Sequence, residues 1–232
     1  MSRLIVNSSV AVTLVGGSEV HEDQLMRSVS LAPHIVAADG GADMALSHGM
    51  PPSAVIGDFD SISESTKDKL PRDVQFRIEE QNSTDFDKCL RNIDAPLVIC
   101  VGFTGLRADH HLAGFNALVR HPERQCILLD RNDIVFLAPP SIALSLECGT
   151  RVSLFPMGEV GGFSEGLRWP ISGIDFSPDG RIGTSNEATG DVFLSLNAPK
   201  MLAILPESAL EHVADTLVSN SSRWPSPRAE FH

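Results

Sequence analysis

Residues 10–15, Val-Ala-Val-Thr-Leu-Val, form an unbroken apolar and β-branched run that ends at Gly16-Gly17-Ser18. A run with no polar alternation predicts a strand buried on both faces, the environment of a parallel sheet covered by helices. The unit then repeats. Segment 22–30 is weakly amphipathic, with Leu25, Met26 and Val29 on one side, and 35–38 reads as a second strand ending at Asp39-Gly40-Gly41-Ala42-Asp43. Segment 42–48 predicts a short helix stopped by Gly49 and Pro51-Pro52. A third strand, 54–56, runs into Gly57-Asp58-Phe59-Asp60-Ser61.

Ser61-x-x-Glu64 has the pattern of a capping box and predicts a helix through about Leu70. Residues 74–78 alternate apolar with polar, as an edge strand does, and a helix capped by Ser83 or Thr84 follows. Next come a strand at 97–101, a glycine-bearing turn at 102–107, a helix at 109–120 with Leu112, Phe115, Leu118 and Val119 inward, and a buried strand at 127–129. Strand alternating with helix this often predicts an α/β domain with an open, mostly parallel sheet over residues 1–133. From 134 the rhythm changes. Short β-like runs at 134–138, 142–146, 151–155, 192–196 and 201–205 are separated by glycine or proline, without helical periodicity. That predicts a small all-β sandwich or barrel over 134–218, with 207–218 able to form a closing helix and 219–232 a loose tail.

Composition excludes some partners. The formal net charge of −12 argues against a sequence-independent grip on nucleic acid, which needs a basic face. No apolar run is long enough to span a bilayer and no basic-then-apolar leader opens the chain, so no membrane partner is expected. Cys89, Cys100, Cys126 and Cys148 form no C-x-x-C pair, and Cys100 and Cys126 sit inside apolar runs. Reduced thiols and a cytoplasmic location are expected.

In an open α/β sheet, ligands collect beyond the carboxyl ends of the strands, and three acidic clusters fall there: Asp39, Asp58 with Asp60, and Asp85. If strand geometry persists through Asp58-Phe59-Asp60, both carboxylates point one way with Cα atoms roughly 7 Å apart. Mg²⁺ relieves such repulsion by bridging one or two carboxylates to substrate phosphates. Solvated turn residues would give the same Asp-x-Asp pattern. Asp85 and Lys88 share a helical face, although a carboxylate in a first helical turn also complements the macrodipole by about 0.3–1 kcal/mol without any function. Arg107, Asp109 and His110 follow the next strand end.

Together these residues resemble the thiamine pyrophosphokinase family. Asp39-Gly40-Gly41-Ala42, Gly57-Asp58-Phe59-Asp60-Ser61, Thr84-Asp85-Phe86-x-Lys88-Cys89-Leu90 and Gly105-x-Arg107-x-Asp109-His110 carry the resemblance in the first half. Gly166-Leu167-x-Trp169-Pro170 and Thr184-Ser185-Asn186-Glu187 carry it in the second. The resemblance implies transfer of the pyrophosphoryl group of ATP to the thiamine hydroxyl, giving thiamine diphosphate and AMP. It also implies Mg²⁺ and a homodimer with the thiamine site shared between subunits. Asp58, Asp60 and Asp85 would hold metal and phosphates, with Asp39 and Gly40 nearby. Lys88 and Arg107 would offset phosphate charge, Asp109 and His110 would belong to the ligand site, and Trp169, Ser185 and Asn186 would contact thiamine. The setting of Trp169 in a short glycine-flanked loop suits an aromatic platform for a cationic ring.

The chain departs from the family pattern at Asn82, where an acid usually stands three before the Asp of Thr-Asp, and at Gly114, where an asparagine is common. The metal count and the general base stay open, the base being sought in the metal cluster. Two other readings fit parts of the pattern: a Mg²⁺-dependent phosphohydrolase with Asp58 as nucleophile, and a non-catalytic sensor of nucleotide or thiamine.

Overall fold

The predicted first strand has no polar face to show. In a computed structural model, which describes residues 4–105 and 107–226, the strand predicted over 10–15 is shortened to 12–15, all four of its residues buried, and Val10 is exposed. The chain falls into two units, Met1–Ala117 with Leu128–Asp130, and Leu118–Ile127 with Arg131–His232. In the first, β1 (Val6–Asn7) precedes β2 (Val12–Val15), α1 (Glu22–Leu31), β3 (His34–Ala38), α2 (Gly41–Ser47) and β4 (Ala54–Gly57). Then come α3 (Glu64–Lys69), β5 (Gln75–Arg77), α4 (Asp85–Asn92), β6 (Ile93–Asp94) and β7 (Val98–Val101). Helix α5 (Ala108–Arg120) and β8 (Cys126–Leu129) run across the division. The strand ladders of the first unit are parallel, β3 with β4, β4 with β5, β2 with β7 and β1 with β6, and one isolated antiparallel bridge joins Val12 to Pro33. This is the α/β architecture that the alternation of apolar runs predicts, because a strand covered on both faces must be apolar at every position.

Three local readings differ from expectation. The cap of α3 is Ser63, whose hydroxyl accepts from the Thr66 amide, while the Ser61 hydroxyl donates to Asp60 Oδ1 at 2.7 Å. Met26 and Leu112, expected inward, are exposed. Leu118 and Val119 are buried as expected, joined by Ala117.

The second unit is antiparallel. Its elements are β9 (Asp133–Leu137), β10 (Ser141–Leu144), β11 (Arg151–Pro156), β12 (Gly162–Leu167), β13 (Gly183–Leu196), β14 (Met201–Pro206) and α6 (Leu210–Ser219). The order β9-β14-β11-β13 holds the sheet together, and β13 serves two neighbourhoods. Its first residues pair with β11, and its last ones lie between β10 and β12. The all-β class agrees with the sequence, but β12 and the first half of β13 were not expected. The first half of β13 is polar where it lines a cavity, while the glycines of β12 sit where a Cβ would strike the backbone of β13, Gly162 against Ser195 and Gly166 against Asp191. Helix α6 buries Leu210, Val213, Ala214 and Leu217, one stripe at helical spacing.

The tail after α6 also differs from the loose segment expected, as far as it is described. Asn220 Nδ2 donates to the Ser141 carbonyl at 2.8 Å, and Ser222 Oγ accepts from the Ser141 amide at 3.2 Å. Trp224 Nε1 donates to the Ala138 carbonyl at 2.9 Å. Polar composition predicts looseness only when such groups find no backbone to bond.

Candidate active site

Strand β4 ends at Gly57, and a side chain there would not fit. A Cβ at 57 would lie 2.7 Å from the Cβ of Asp39, so glycine is what lets β3 and β4 bring their acidic ends together. Extended geometry then stops. Phe59 has φ of 68° and Asp39 of 43°, left-handed conformations that cost non-glycine residues about 1–3 kcal/mol each. Asp58 and Asp60 therefore converge through a tight turn, and not by the strand alternation expected. Surrounding bonds hold the turn: Arg77 Nε donates to the Asp58 carbonyl at 3.0 Å and Lys67 Nζ to the Phe59 carbonyl at 3.1 Å. The Phe59 side chain packs against a buried cluster of Ala37, Ala42, Val55, Ile62 and Leu70.

The outcome is one acidic constellation. Carboxylate oxygens of Asp39, Asp58 and Asp60 lie within 4.8 Å of one another. Asp39 is only 2% exposed. Its oxygens accept the Ile62 amide at 3.0 Å and the Ser61 amide at 3.4 Å. Burial and then the charge of Asp85 push its carboxyl up to about 6, against the pull of those two amides. A carboxylate in that condition lacks a counter-charge, and a divalent cation with oxygen preference is the group that supplies one. The donor set of three carboxylates fits Mg²⁺.

Asp85 stands differently. It opens α4, capped by Thr84, whose hydroxyl accepts the Asp87 amide. Lys88, one turn on, has a side chain only 1% exposed, and its Nζ lies 2.9 Å from both Asp85 Oδ1 and Asp58 Oδ2. The ammonium holds the Asp58 carboxyl below its ordinary value, while burial raises that of Asp85. Asp58 Oδ2 receives a second donor, Gln81 Nε2, at 3.1 Å. Glu80 is engaged elsewhere, by Arg91 at 2.6 Å and by the Ser83 hydroxyl. Glu80 therefore does not stand in for an acid at Asn82.

Gly40 precedes α2 and lies against Ser61. Arg107 and Asp109 are both exposed and pair with each other, Nη2 to Oδ2 at 2.6 Å and Nε to Oδ1 at 3.2 Å. His110 is exposed beside them. Among the described residues, no bond ties these three to the acidic constellation.

The second unit carries a cavity of about 300 Å³, walled by Ile171, Ile174, Phe176 and Ile182 and rimmed by Trp169, Arg181, Ser185 and Asn186. Trp169 is 56% exposed and so lies outside the core. Its backbone is bracketed by Asn186, a side chain 6% exposed: Oδ1 accepts the Trp169 amide at 3.1 Å, and Nδ2 donates to the Trp169 carbonyl at 2.7 Å. Ser185 is held at φ of 60°, its amide donating to the buried Ser153 hydroxyl at 2.9 Å. All three non-glycine residues of positive φ among those described, Asp39, Phe59 and Ser185, thus lie at the two candidate sites. Gln81, Ser153 and the apolar cavity walls had no signal in the sequence. Their roles depend on neighbours far along the chain.

The family described as "Thiamin pyrophosphokinase, catalytic domain" matches residues 25–129, and "Thiamin pyrophosphokinase, vitamin B1 binding domain" matches residues 141–201. Thiamine pyrophosphokinase 1 of Arabidopsis thaliana is 28% identical over 186 residues, covering 65% of this chain and 69% of the relative. Thiamine pyrophosphokinase 3 of Oryza sativa subsp. japonica is 28% identical over 187 residues, with the same coverage. Among solved structures, thiamin pyrophosphokinase from Geobacillus thermodenitrificans has a TM-score of 0.69 at 21% identity, covering 85% of this chain and 97% of that one. The yeast enzyme has a TM-score of 0.71 at 18% identity, covering 91% and 89%. Those two share the fold. With the catalytic and vitamin B1-binding matches falling in succession on the acidic and the aromatic unit, the chain belongs to the thiamin pyrophosphokinase family.

Proposed function

We propose that Asp39, Asp58 and Asp60 hold Mg²⁺, with Asp85 beside them across Lys88, for the reaction that family membership assigns to the chain. That reaction is pyrophosphoryl transfer to thiamine. ATP is the donor in this reading, and AMP and thiamine diphosphate are the products. The observation that carries it is the convergence of three carboxylates within 4.8 Å, one of them nearly buried and short of counter-charge. Bound there, the ion supplies charge stabilisation to the phosphate oxygens.

The protein's own part is positioning and fixed electrostatics. Lys88 holds Asp58 and Asp85 apart at 2.9 Å from each, so neither carboxylate turns away from the site. The left-handed turns at Asp39 and Phe59 aim the acids before any substrate arrives. The proton of the thiamine hydroxyl passes to a carboxylate of the cluster. Arg107, Asp109 and His110 serve the phosphate end of the nucleotide, with Gly40 close to the acids. Thiamine takes the cavity beside Trp169, Ser185 and Asn186. Its fixed positive charge suits the face of an indole, at roughly 0.5–2 kcal/mol, and a cavity of about 300 Å³ is within the range of small-molecule sites.

The family resemblance also supports a homodimer, to be checked by sedimentation against the chain mass of 25.0 kDa. The absence of a disulfide among the four cysteines, three of them buried, supports a cytoplasmic setting. Among the described residues no helix is long and apolar enough to cross a membrane. Incubation with ATP, Mg²⁺ and thiamine, followed by separation of products, tests the reading. AMP with thiamine diphosphate is expected. ADP with inorganic phosphate would make the chain a phosphohydrolase, and an absence of turnover would leave it a sensor.

A further inference from the structure

Trp169 is exposed, yet its ring is not left to move. Arg168 places its guanidinium carbon 4.9 Å from the centroid of the indole. The arginine is itself fastened at both ends to Glu187. Its amide donates to the Glu187 carbonyl at 2.9 Å, and its Nη1 lies 3.3 Å from Glu187 Oε2. Arg168 does not line the cavity, whereas Trp169 does. The cation therefore supports the ring from outside the space the ligand would fill. Residues 185, 186 and 187 of β13 thus brace the rim in succession. Ser185 leans on Ser153, Asn186 grips the Trp169 backbone, and Glu187 anchors the arginine that stacks on the ring.

We propose that Arg168, tethered by Glu187, is a positioning residue that holds the Trp169 indole in its ligand-ready orientation. The proposal rests on the reading of Trp169 as the thiamine platform. An exposed aromatic side chain loses rotamer freedom when a ligand stacks on it, and a ring already held loses less. A planar guanidinium suits this role, since it stacks flat on an aromatic face and still pairs with a carboxylate. The opposing physical effect is repulsion. A guanidinium close to the ring disfavours a second cation there, and Glu187 offsets that charge.

The two effects predict opposite signs, so kinetics decide between them. In a Trp224→Phe background, where Trp169 is the only tryptophan, Arg168→Met should raise the KM for thiamine by about three- to tenfold. The kcat and the KM for ATP should stay within about twofold, since α/β residues perform the transfer. The steady-state fluorescence anisotropy of Trp169 should fall and its quenching by acrylamide should rise. Glu187→Gln should shift the same quantities in the same direction by less, and Arg168→Lys should restore part of the anisotropy. An unchanged or lowered KM for thiamine in Arg168→Met, or unchanged anisotropy, would overturn the proposal. Trp169→Ala separates the two levels. If it leaves the thiamine KM alone, the platform reading fails and this proposal with it. If it raises that KM while Arg168→Met does not, only the positioning role fails.

Discussion

The acidic constellation and the aromatic cavity solve the problem of a polar site in opposite ways. At the first, like charges are forced together, and Asp39 is held nearly buried with its carboxyl pushed up to about 6. That arrangement is costly until a cation arrives, so its geometry comes from strong covalent and steric devices. These are Gly57, two left-handed residues and the buried Lys88 ammonium. At the second, an apolar wall and an exposed indole are held by hydrogen bonds from Ser153 and Asn186 and by a stacked arginine. No charge there is buried without a partner. The difference teaches which changes each site tolerates. The first should fail by small chemical changes that preserve shape, the second by loss of surface.

The largest expected effect comes from shape-preserving chemistry at the acids. Asp60→Asn should cut kcat a hundredfold or more, on the order of 3–4 kcal/mol of lost transition-state stabilisation. Its melting temperature without Mg²⁺ should stay level or rise, because repulsion is relieved. Full activity in this variant would erase the contrast between the sites. Gly57→Ala comes next: the new methyl presses on Asp39 and should destabilise the fold by about 1–3 kcal/mol. Urea denaturation measures this, and an unaltered midpoint would show that the acids do not need so close an approach.

Trp169→Ala sharpens the other side. The KM for thiamine should rise about two- to thirtyfold, as loss of a cation–π contact allows, with the KM for ATP and the melting temperature nearly unchanged. A large loss of stability would mean that the exposed ring supports the fold after all. A smaller effect is one of pH. The folded-state pKa of Asp39, about 6, stands above the ordinary aspartate value of 3.8. The folded protein therefore holds that proton more tightly than the unfolded chain. On this group's account stability is undiminished below about pH 4 and declines as pH rises toward 6. In EDTA, Asp39→Asn should flatten that part of the melting profile, and identical slopes in the two proteins would refute it. Trp224→Phe should have the least consequence, a loss of about 0.5–1.5 kcal/mol for the bond to Ala138, without change in either KM. An altered KM for thiamine would tie the tail to the cavity.

Much of the first unit was legible because its signals are local. A strand buried on both faces must be apolar at each position, so β2, β4, β7 and β8 announce themselves as runs. The acids announced themselves by lying just beyond such runs. The second unit was less legible. The runs of β9, β11 and β14 face a core and were visible, but β12 and the first half of β13 carry Gly162, Gly166, Thr184, Ser185 and Asn186. These residues look like a loop because Thr184, Ser185 and Asn186 line the cavity and the two glycines lie close against the β13 backbone.

By itself the sequence determined the fold class, the order of the two units and the residue types at each site. Those properties depend on periodicity and on motifs a few residues long. Tertiary structure alone decided which carboxylates share one point in space. It brought Asp39 to Asp58 and Asp60 across about twenty residues of chain, and the Lys88 ammonium to Asp58 across thirty. It also decided that Ser63 caps α3, that Leu112 faces outward and that Glu187 reaches Arg168. The acidic constellation, the Lys88–Asp58 pair and the Glu187–Arg168 contact turn on distances of a few ångströms between segments remote in the chain. Coulomb energy and hydrogen-bond geometry are decided at that range, where residue order carries no information.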